Sequence, residues 1–189
     1  ADRARQQADR HVALSHQLVA SGAIGRVYHA RAVYLQSWGG PSTPLLWRFQ
    51  GDVAGSGAHG DLNAHIIDAV RFVTGGEIAG AGAVTGATMG VSTVDDAVAF
   101  LARLSGGGIA TFEATRLATG FHNENRFEIH GERGALRFNF ERMNELCYYD
   151  ASGDGRTAGW TTIDVTRGGD GHPYAAAWWP DSHGLGYEH

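Results

Sequence analysis

The spacing of hydrophobic residues divides the chain into a first part with helical periodicity and a longer part with the period of strands. In residues 57–74, apolar side chains recur at intervals of three and four positions, which predicts an amphipathic helix. Residues 2–21 show a weaker version of this spacing and are also predicted to be helical. Between them, strand-forming residues from Arg26 to Trp38 predict an extended segment, and residues 42–56 are predicted to be irregular.

Beyond these helices the apolar and polar side chains mostly alternate, which is typical of an antiparallel sheet with one face in the core. Leu136 and Phe138, for example, are predicted to lie on one face and Arg137 on the other. The glycines within residues 105–108 predict a hairpin turn. Strands are predicted over residues 77–89, 95–104, 108–117, 125–130, 134–140, 145–149 and 160–165. Helices followed by a run of strands indicate an α+β fold.

Composition and charge exclude several classes of protein. Hydrophobic residues make up 43% of the chain, enough for a core, and a net charge of −5 disfavours nucleic acid as a partner. The single cysteine excludes an internal disulfide. The polar N-terminus has no signal-like core and no run approaches membrane-spanning length, so a cytoplasmic protein without a membrane partner is expected. All fifteen basic residues are arginines, so no lysine of this chain can act in catalysis.

Candidate chemistry lies in the segment from Gly60 to His65. Asp61 and His65 are four positions apart in a predicted helix, so their side chains are expected to lie one above the other. A carboxylate beside an imidazole stabilises the imidazolium, which makes the pair a candidate for acid–base catalysis near neutral pH. A structural interpretation stays open on spacing alone, because an aspartate often begins a helix and histidines often serve as hydrogen-bonding groups.

The run from Gly55 to Gly60 also fits the GxGxxG pattern of dinucleotide-binding loops, but its context argues against that function. The pattern requires a buried apolar strand directly before it, and residues 47–53 do not form one. It also requires an acidic residue at the end of the next strand, whereas Glu77 lies at the start of the next apolar run. We therefore expect no cofactor-binding residue in this chain and no cofactor bound by this chain alone.

A metal site is an alternative for the same helix. His59, Asp61, His65 and Asp68 are nitrogen and oxygen ligands within ten positions. No HExxH or comparable signature accompanies them, and charged strips on helices are usually solvated. The predicted site therefore contains no metal.

Three further residues are candidates for substrate binding. Trp38 and Trp47 can stack on sugar rings, although core packing is the more common use of tryptophan, and His59 lies two positions before Asp61. Weaker candidates lie near the end of the chain: His172, Trp178, Trp179, His183 and His189.

Three stretches, in the right order, resemble one known family. The run from Gly55 to Val73, with a Trp-Arg-Phe triplet at 47–49 before it, resembles the glycine-rich DxxxH segment of the glucose-fructose oxidoreductase / inositol dehydrogenase / MocA family. Residues 18–27 resemble the helix-to-strand entry into the C-terminal domain of that family. Residues 125–138 resemble its FEIxGxxGxLxF hairpin.

The resemblance implies an architecture. Family members have an N-terminal Rossmann domain that binds NAD or NADP and a C-terminal α+β domain that binds substrate. The C-terminal domain is a large, open, mostly antiparallel sheet with helices on one face, and it often forms the oligomer interface. Residues 10–189 are accordingly expected to be such a C-terminal domain, truncated at its C-terminus, and residues 1–9 a remnant of the preceding domain.

The resemblance also implies a function. His65 would be the general acid–base on the substrate hydroxyl, Asp61 its partner, and a lysine from a Glu-Lys-Pro-like motif in the Rossmann domain would complete the site. The expected activity is NAD(P)-dependent oxidoreduction of a sugar, cyclitol or related alcohol by a homo-oligomer that associates through the sheet. Because this chain has neither the lysine nor the nucleotide fingerprint, it is expected to be inactive alone.

Two other functions stay open on the sequence. The chain could be a non-catalytic sheet module that binds a sugar or associates with itself through the more polar, solvent-exposed face of the sheet and its exposed edges. It could also be a metal-dependent enzyme that uses the polar strip of the second helix.

Overall fold

The structure, a computed structural model, describes residues 10–40, 42–86 and 92–165. Its helices are α1 (Arg10–Ala20), α2 (Gly51–Ala54) and α3 (Ala64–Thr74), with a π-helical turn at His59–Asn63, the π-turn, leading directly into α3. Short 3-10 turns lie at Trp47–Phe49 and Phe140–Arg142. The strands are β1 (Val27–Leu35), β2 (Ile78–Gly86), β3 (Ala97–Leu104), β4 (Ile109–Thr115), β5 (Glu124–Gly131), β6 (Gly134–Asn139), β7 (Glu145–Asp150) and β8 (Trp160–Asp164).

The eight strands of the described residues form one sheet in the order β2-β3-β4-β1-β5-β6-β7-β8. Every neighbouring pair is antiparallel except β1 and β4, which are parallel. The register sets Leu35 beside Thr115 and Glu124, and Thr115 beside Ala97. These four residues define what we call the upper end of the sheet, where β1 and β4 finish and β3 and β5 begin.

Helices α1 and α3 pack against each other and cover one face of the sheet. From α3, the side chains of Ile66, Val70 and Val73 are fully buried, and each contributes roughly 1.5–3 kcal/mol to stability. They join sheet residues such as Phe112 and Leu136 in a single core cluster. The structure therefore confirms the predicted α+β class, with a large, mostly antiparallel sheet and its helices on one face.

The opposite face of the sheet carries no helix in the described part of the chain. Along β3 the burial alternates residue by residue, so that Leu101, for example, is 63% exposed between buried neighbours. Val84 on β2 and Ile109 on β4 are also strongly exposed. We call this surface the open face.

Two predicted element boundaries were wrong. Residues 42–56 are not irregular throughout, since they contain the 3-10 turn at Trp47–Phe49 and the short helix α2. The helix predicted over 57–74 is α-helical only from Ala64, because the preceding turn has the wider π geometry. The backbone N–H groups of Gly57, Ala58 and His59 are bonded to Asp95, which lies outside the helix. These bonds prevent a regular α-helical start.

The remaining predicted elements are present with small shifts at their ends. The extended segment predicted over Arg26 to Trp38 is a strand only as far as Leu35, and each of the predicted strands has its counterpart in the sheet. Residues 2–9 of the first predicted helix and residues 87–89 of the 77–89 segment lie outside the described residues. None of the described helices is long and apolar enough to cross a membrane.

Candidate functional site

Buried polar side chains concentrate near the upper end of the sheet. Asn63, Asp96, Arg116 and Glu124 are each less than 5% exposed, and they lie on the π-turn or beside the ends of β3, β4 and β5. Burying polar groups is costly unless they are paired, so their concentration at one place requires a specific arrangement. The DxxxH segment is part of this arrangement.

The entrance to the π-turn is fixed by Asp95, which lies just before β3. Its carboxylate accepts hydrogen bonds from the backbone N–H groups of Gly57 (2.9 Å) and His59 (2.6 Å), and its carbonyl oxygen accepts one from Ala58 (2.8 Å). A Cβ atom at Gly57 would lie 1.8 Å from that carbonyl oxygen, so only glycine fits this position. The turn that carries Asp61 is therefore held against the start of β3.

Asp61 is bound by arginines. Its Oδ2 accepts a hydrogen bond from Nη2 of Arg116 at 2.9 Å, and Nε of Arg48 lies 4.0 Å from the same oxygen. Arg116 is 1% exposed, whereas the Asp61 side chain is 36% exposed. Among the described residues, no side chain or backbone N–H donates to Oδ1 of Asp61, which leaves that oxygen as an acceptor for a ligand.

His65 lies one turn further along, at an exposed position of α3. Its ring centroid is 6.2 Å from the ring of Tyr34, near the end of β1. No hydrogen bond or ion pair joins His65 to Asp61 in the described part of the chain. The expected stacking of the two side chains is altered because the π-turn has more residues per turn than an α-helix and because Arg116 binds the carboxylate.

Trp38 lies in a network that begins beyond the end of β1. Its indole N–H donates to Oε1 of Gln36 at 2.6 Å, and Nε2 of Gln36 donates to Oδ1 of Asn123 at 2.6 Å. The indole ring lies 5.6 Å from the ring of Phe49, with its centroid 5.1 Å from the guanidinium carbon of Arg116. Trp38 therefore has a fixed orientation beside the arginine that holds Asp61.

The other two candidate binding residues have looser surroundings. Trp47 is 54% exposed, and the guanidinium of Arg48 lies 4.7 Å above its ring. His59 is exposed, with Nδ1 3.3 Å from Nδ2 of Asn63 and its ring centroid 6.4 Å from that of Phe100. The structure thus links both tryptophans to Asp61 through arginines and places His59 in the same turn as Asp61.

The glycine-rich run at 55–60 does not fit a dinucleotide. In a nucleotide-binding loop the backbone N–H groups point at the pyrophosphate. Here the N–H groups of Gly57 and His59 are already bonded to Asp95, and the close approach at Gly57 is filled by a protein carbonyl. The run also follows the short helix α2 instead of a strand.

The described side chains of the helix strip do not form a metal centre either. Asp61 is bound by arginines and Asp68 lies 3.9 Å from Arg71. Across the described residues, no three histidine, cysteine, aspartate or glutamate side chains come together as metal ligands. The weaker candidates from His172 onward lie outside the described residues.

Sequence reasoning missed Arg116 and Asp95. A signal for Arg116 was available: Ala110, Phe112 and Ala114 alternate on the buried face of β4, and the same period places residue 116 on that face. An arginine at a predicted core position, next to the end of a strand, indicates a buried ion pair. The role of Asp95 had no local signal, since its partners lie 36 to 38 positions earlier in the chain.

Comparison with known proteins gives consistent matches. Residues 12–137 match the family model described as the GFO/IDH/MocA C-terminal domain. The chain is 38% identical over 200 aligned residues to levoglucosan dehydrogenase from Pseudarthrobacter phenanthrenivorans, which covers 93% of this chain and 50% of that enzyme. The chain therefore spans about half the length of that curated relative.

Solved structures give the same result. An oxidoreductase domain protein from Kribbella flavida superimposes with a TM-score of 0.91 at 47% identity, over 98% of this chain and 51% of that chain. Levoglucosan dehydrogenase in complex with NADH and levoglucosan superimposes with a TM-score of 0.88 at 38% identity, over 97% of this chain and 52% of that chain.

Proposed function

Because the chain belongs to the glucose-fructose oxidoreductase / inositol dehydrogenase / MocA family, whose C-terminal domain it matches, we propose that it is the substrate-binding half of an NAD(P)-dependent oxidoreductase acting on a sugar, cyclitol or related alcohol. The observation that supports this most directly is the arrangement at the upper end of the sheet, where an exposed His65 follows an Asp61 that a buried arginine holds in place. Levoglucosan, bound in one similar solved structure, is the first substrate to test.

In the proposed reaction His65 moves a proton. During oxidation its imidazole takes the proton from the substrate hydroxyl, and during reduction it returns that proton. Asp61 presents Oδ1 as an acceptor for a substrate hydroxyl, because Oδ2 is occupied by Arg116. This assigns Asp61 to orienting the substrate beside His65.

Trp38, Trp47 and His59 are the proposed binding residues for the rest of the sugar. Trp38 is the best held of the three, since Gln36 fixes its indole N–H and Phe49 supports its ring. Aromatic rings bind the apolar faces of sugars, and hydroxyl groups around the ring need donors and acceptors such as the imidazole of His59.

NAD or NADP is proposed to bind outside the described residues, because the glycine-rich run does not fit a pyrophosphate. When bound, that cofactor accepts or returns the hydride of the alcohol carbon. The residues of this chain bind the sugar, orient its hydroxyl and move its proton.

The test is a turnover assay on the full-length protein. We expect NAD(P)H formation with levoglucosan or another sugar or cyclitol, and none with a simple aliphatic alcohol, which cannot use the proposed ring-binding residues. The 189-residue chain alone is expected to give no turnover, since it has no lysine and no nucleotide-binding loop in its described residues. Absence of NAD(P)-linked turnover of any sugar, cyclitol or related alcohol by the full-length protein would contradict the proposal.

Self-association through the open face is a second proposed function. Leu101, Val84 and Ile109 expose 63%, 77% and 55% of their surfaces on this face, and several large exposed apolar side chains on one sheet face are a feature of protein interfaces. A second copy of the chain is the proposed occupant, which corresponds to a homo-oligomer that pairs through its sheets.

The change Leu101→Glu is expected to separate this oligomer. It places a charge in the centre of the proposed interface, which should weaken association by ~100-fold or more. Sedimentation velocity of the full-length protein measures the change. Leu45→Glu is the matched control, because Leu45 is similarly exposed but lies outside the sheet. An unchanged oligomeric state for Leu101→Glu, or a monomeric parent protein, would exclude the open face as the interface.

A further inference from the structure

Arg116 lies at the junction of four segments near the upper end of the sheet. It follows β4 directly, and its backbone N–H donates to the carbonyl oxygen of Asp96 at 3.2 Å. Its carbonyl oxygen accepts a hydrogen bond from Gly39 at 3.0 Å. A Cβ atom at Gly39 would lie 2.8 Å from the Cβ of Arg116, so this close contact requires glycine. The backbone of Arg116 is therefore fixed from two sides.

The guanidinium of Arg116 contacts both Asp61, a proposed catalytic residue, and Trp38, a proposed sugar-binding residue. Nη2 donates to Oδ2 of Asp61 at 2.9 Å, and Nη1 donates to the carbonyl oxygen of Arg48 at 3.2 Å. The guanidinium carbon lies 5.1 Å from the ring centroid of Trp38 and 5.9 Å from that of Phe49. One buried cation therefore contacts the Asp61 carboxylate, the 3-10 turn at Trp47–Phe49 and the rings of Trp38 and Phe49.

Burial makes these contacts mutually dependent. A guanidinium that is 1% exposed needs a counter-charge, and Asp61 is the carboxylate bonded to it. Nε of Arg116 is buried without a hydrogen-bond partner among the described residues, so the ion pair with Asp61 offsets much of the free-energy cost of burying the guanidinium. If Asp61 moved away from Arg116, the buried guanidinium would be left without its counter-charge. This cost holds the carboxylate in one place.

We propose that Arg116 is a positioning residue for the reaction: it holds Oδ2 of Asp61 so that Oδ1 faces the substrate, and it fixes the Trp38 ring relative to that carboxylate. This inference rests on the proposed function, because it acts through residues assigned there. Arg116 does not need to touch the substrate. Its effect is to keep the hydroxyl of a sugar resting on Trp38 within reach of Asp61 and His65, and a misplacement of about 1 Å in such a site can lower the rate ~100-fold.

The test uses Arg116→Met and Arg116→Lys in the full-length protein. Methionine can pack against the rings of Trp38 and Phe49 without binding Asp61, so the fold should survive while kcat falls by ~10-fold to ~100-fold. Lysine retains the charge but cannot make both hydrogen bonds of the planar guanidinium, so an intermediate kcat is expected. Arg71→Met, which removes an arginine from an exposed ion pair with Glu77, is the matched control and should leave kcat unchanged.

A double-mutant cycle with Asp61→Asn separates positioning from a general structural role. If Arg116 acts through Asp61, adding Arg116→Met to Asp61→Asn should lower kcat by less than about threefold, because methionine still packs against the Trp38 ring and the two charged residues act as a unit. Fully multiplicative losses would overturn the proposal, as would an Arg116→Met protein with the kcat of the Arg71→Met control. Should Arg116→Met not fold, the cycle is measured with Arg116→Lys, and the same two outcomes overturn the proposal.

These outcomes are distinguishable from a failure of the proposed function. Absence of sugar turnover in the parent protein, or full activity after loss of the His65 imidazole, removes the proposed function itself. Loss of activity at His65 combined with normal kcat in both Arg116 variants removes only the role of Arg116.

Discussion

Replacing His65 with alanine in the full-length protein is expected to lower kcat/KM by ~10²-fold to ~10⁴-fold, the usual contribution of a general acid–base. The imidazole is exposed beside the upper end of the sheet, where it can reach a substrate hydroxyl, and alanine can neither take nor return a proton. The affinity of this variant for NAD(P)H should be unchanged, because the described residues contain no loop that fits a nucleotide. Steady-state kinetics with the best sugar substrate and a separate NAD(P)H titration measure both quantities.

The control for this change is His16→Ala. His16 is another histidine of the helical layer, and its Nδ1 lies 2.9 Å from the carbonyl oxygen of Phe72, far along α3 from His65. This variant should retain the parent kcat/KM. A His65→Ala protein that falls within the range of the His16→Ala protein would remove His65 from the chemistry and leave the domain with a binding role only.

The second large effect concerns acid stability and His11. The ring of His11 is buried and stacks on that of Phe138 with 3.5 Å between the ring centroids, and burial lowers its pKa from 6.5 to about 3. Below pH 6.5 the unfolded chain binds a proton at this position, while the folded chain does not until the pH approaches 3. Stability is therefore complete above pH 6.5 and is lost as the pH falls, by about 1.4 kcal/mol per pH unit.

Between about pH 7 and about pH 5 the loss from His11 alone should reach about 2 kcal/mol. Urea unfolding, followed by tryptophan fluorescence at several pH values, measures the slope. His11→Phe keeps a ring against Phe138 and removes the titrating group, so the free energy of unfolding should depend less on pH by this amount. His122→Phe, at an exposed loop position, controls for the exchange itself. Parallel pH profiles for the parent and His11→Phe would contradict a buried, neutral His11.

The local periodicity of the sequence was sufficient to predict most of the fold. The buried side of α3, with Ile66, Val70 and Val73, follows from spacing within eleven residues, and the alternation along β6 predicted which of its side chains face the core. These features depend on neighbours in the chain, because helical and strand geometry determine directly from sequence spacing which side chains share one face of the element.

The candidate site was harder to predict from the sequence, because its contacts join distant positions. Helical spacing suggested that Asp61 pairs with His65, yet its carboxylate is bonded to Arg116, 55 residues later. That contact depends on β4 lying beside β1 in parallel, and no local pattern predicts a parallel pair within an antiparallel sheet. The π-turn has a similar origin, since Asp95 shapes it from outside the helix. The catalytic roles of Asp61 and His65 stay predictions until the variants are measured.

The central position of β1 has a consequence for how the protein folds during synthesis. β1 is made first among the strands, but both of its neighbours, β4 and β5, are made much later; Ala30 pairs with Ile129, about 100 residues away. Until β5 leaves the ribosome, the nascent chain must carry β1 with at least one unpaired edge. Such long-range pairing slows folding and exposes strand edges to aggregation. Hydrogen-exchange labelling of stalled nascent chains should show protection along the β5-facing edge of β1 only after residue 131 has emerged.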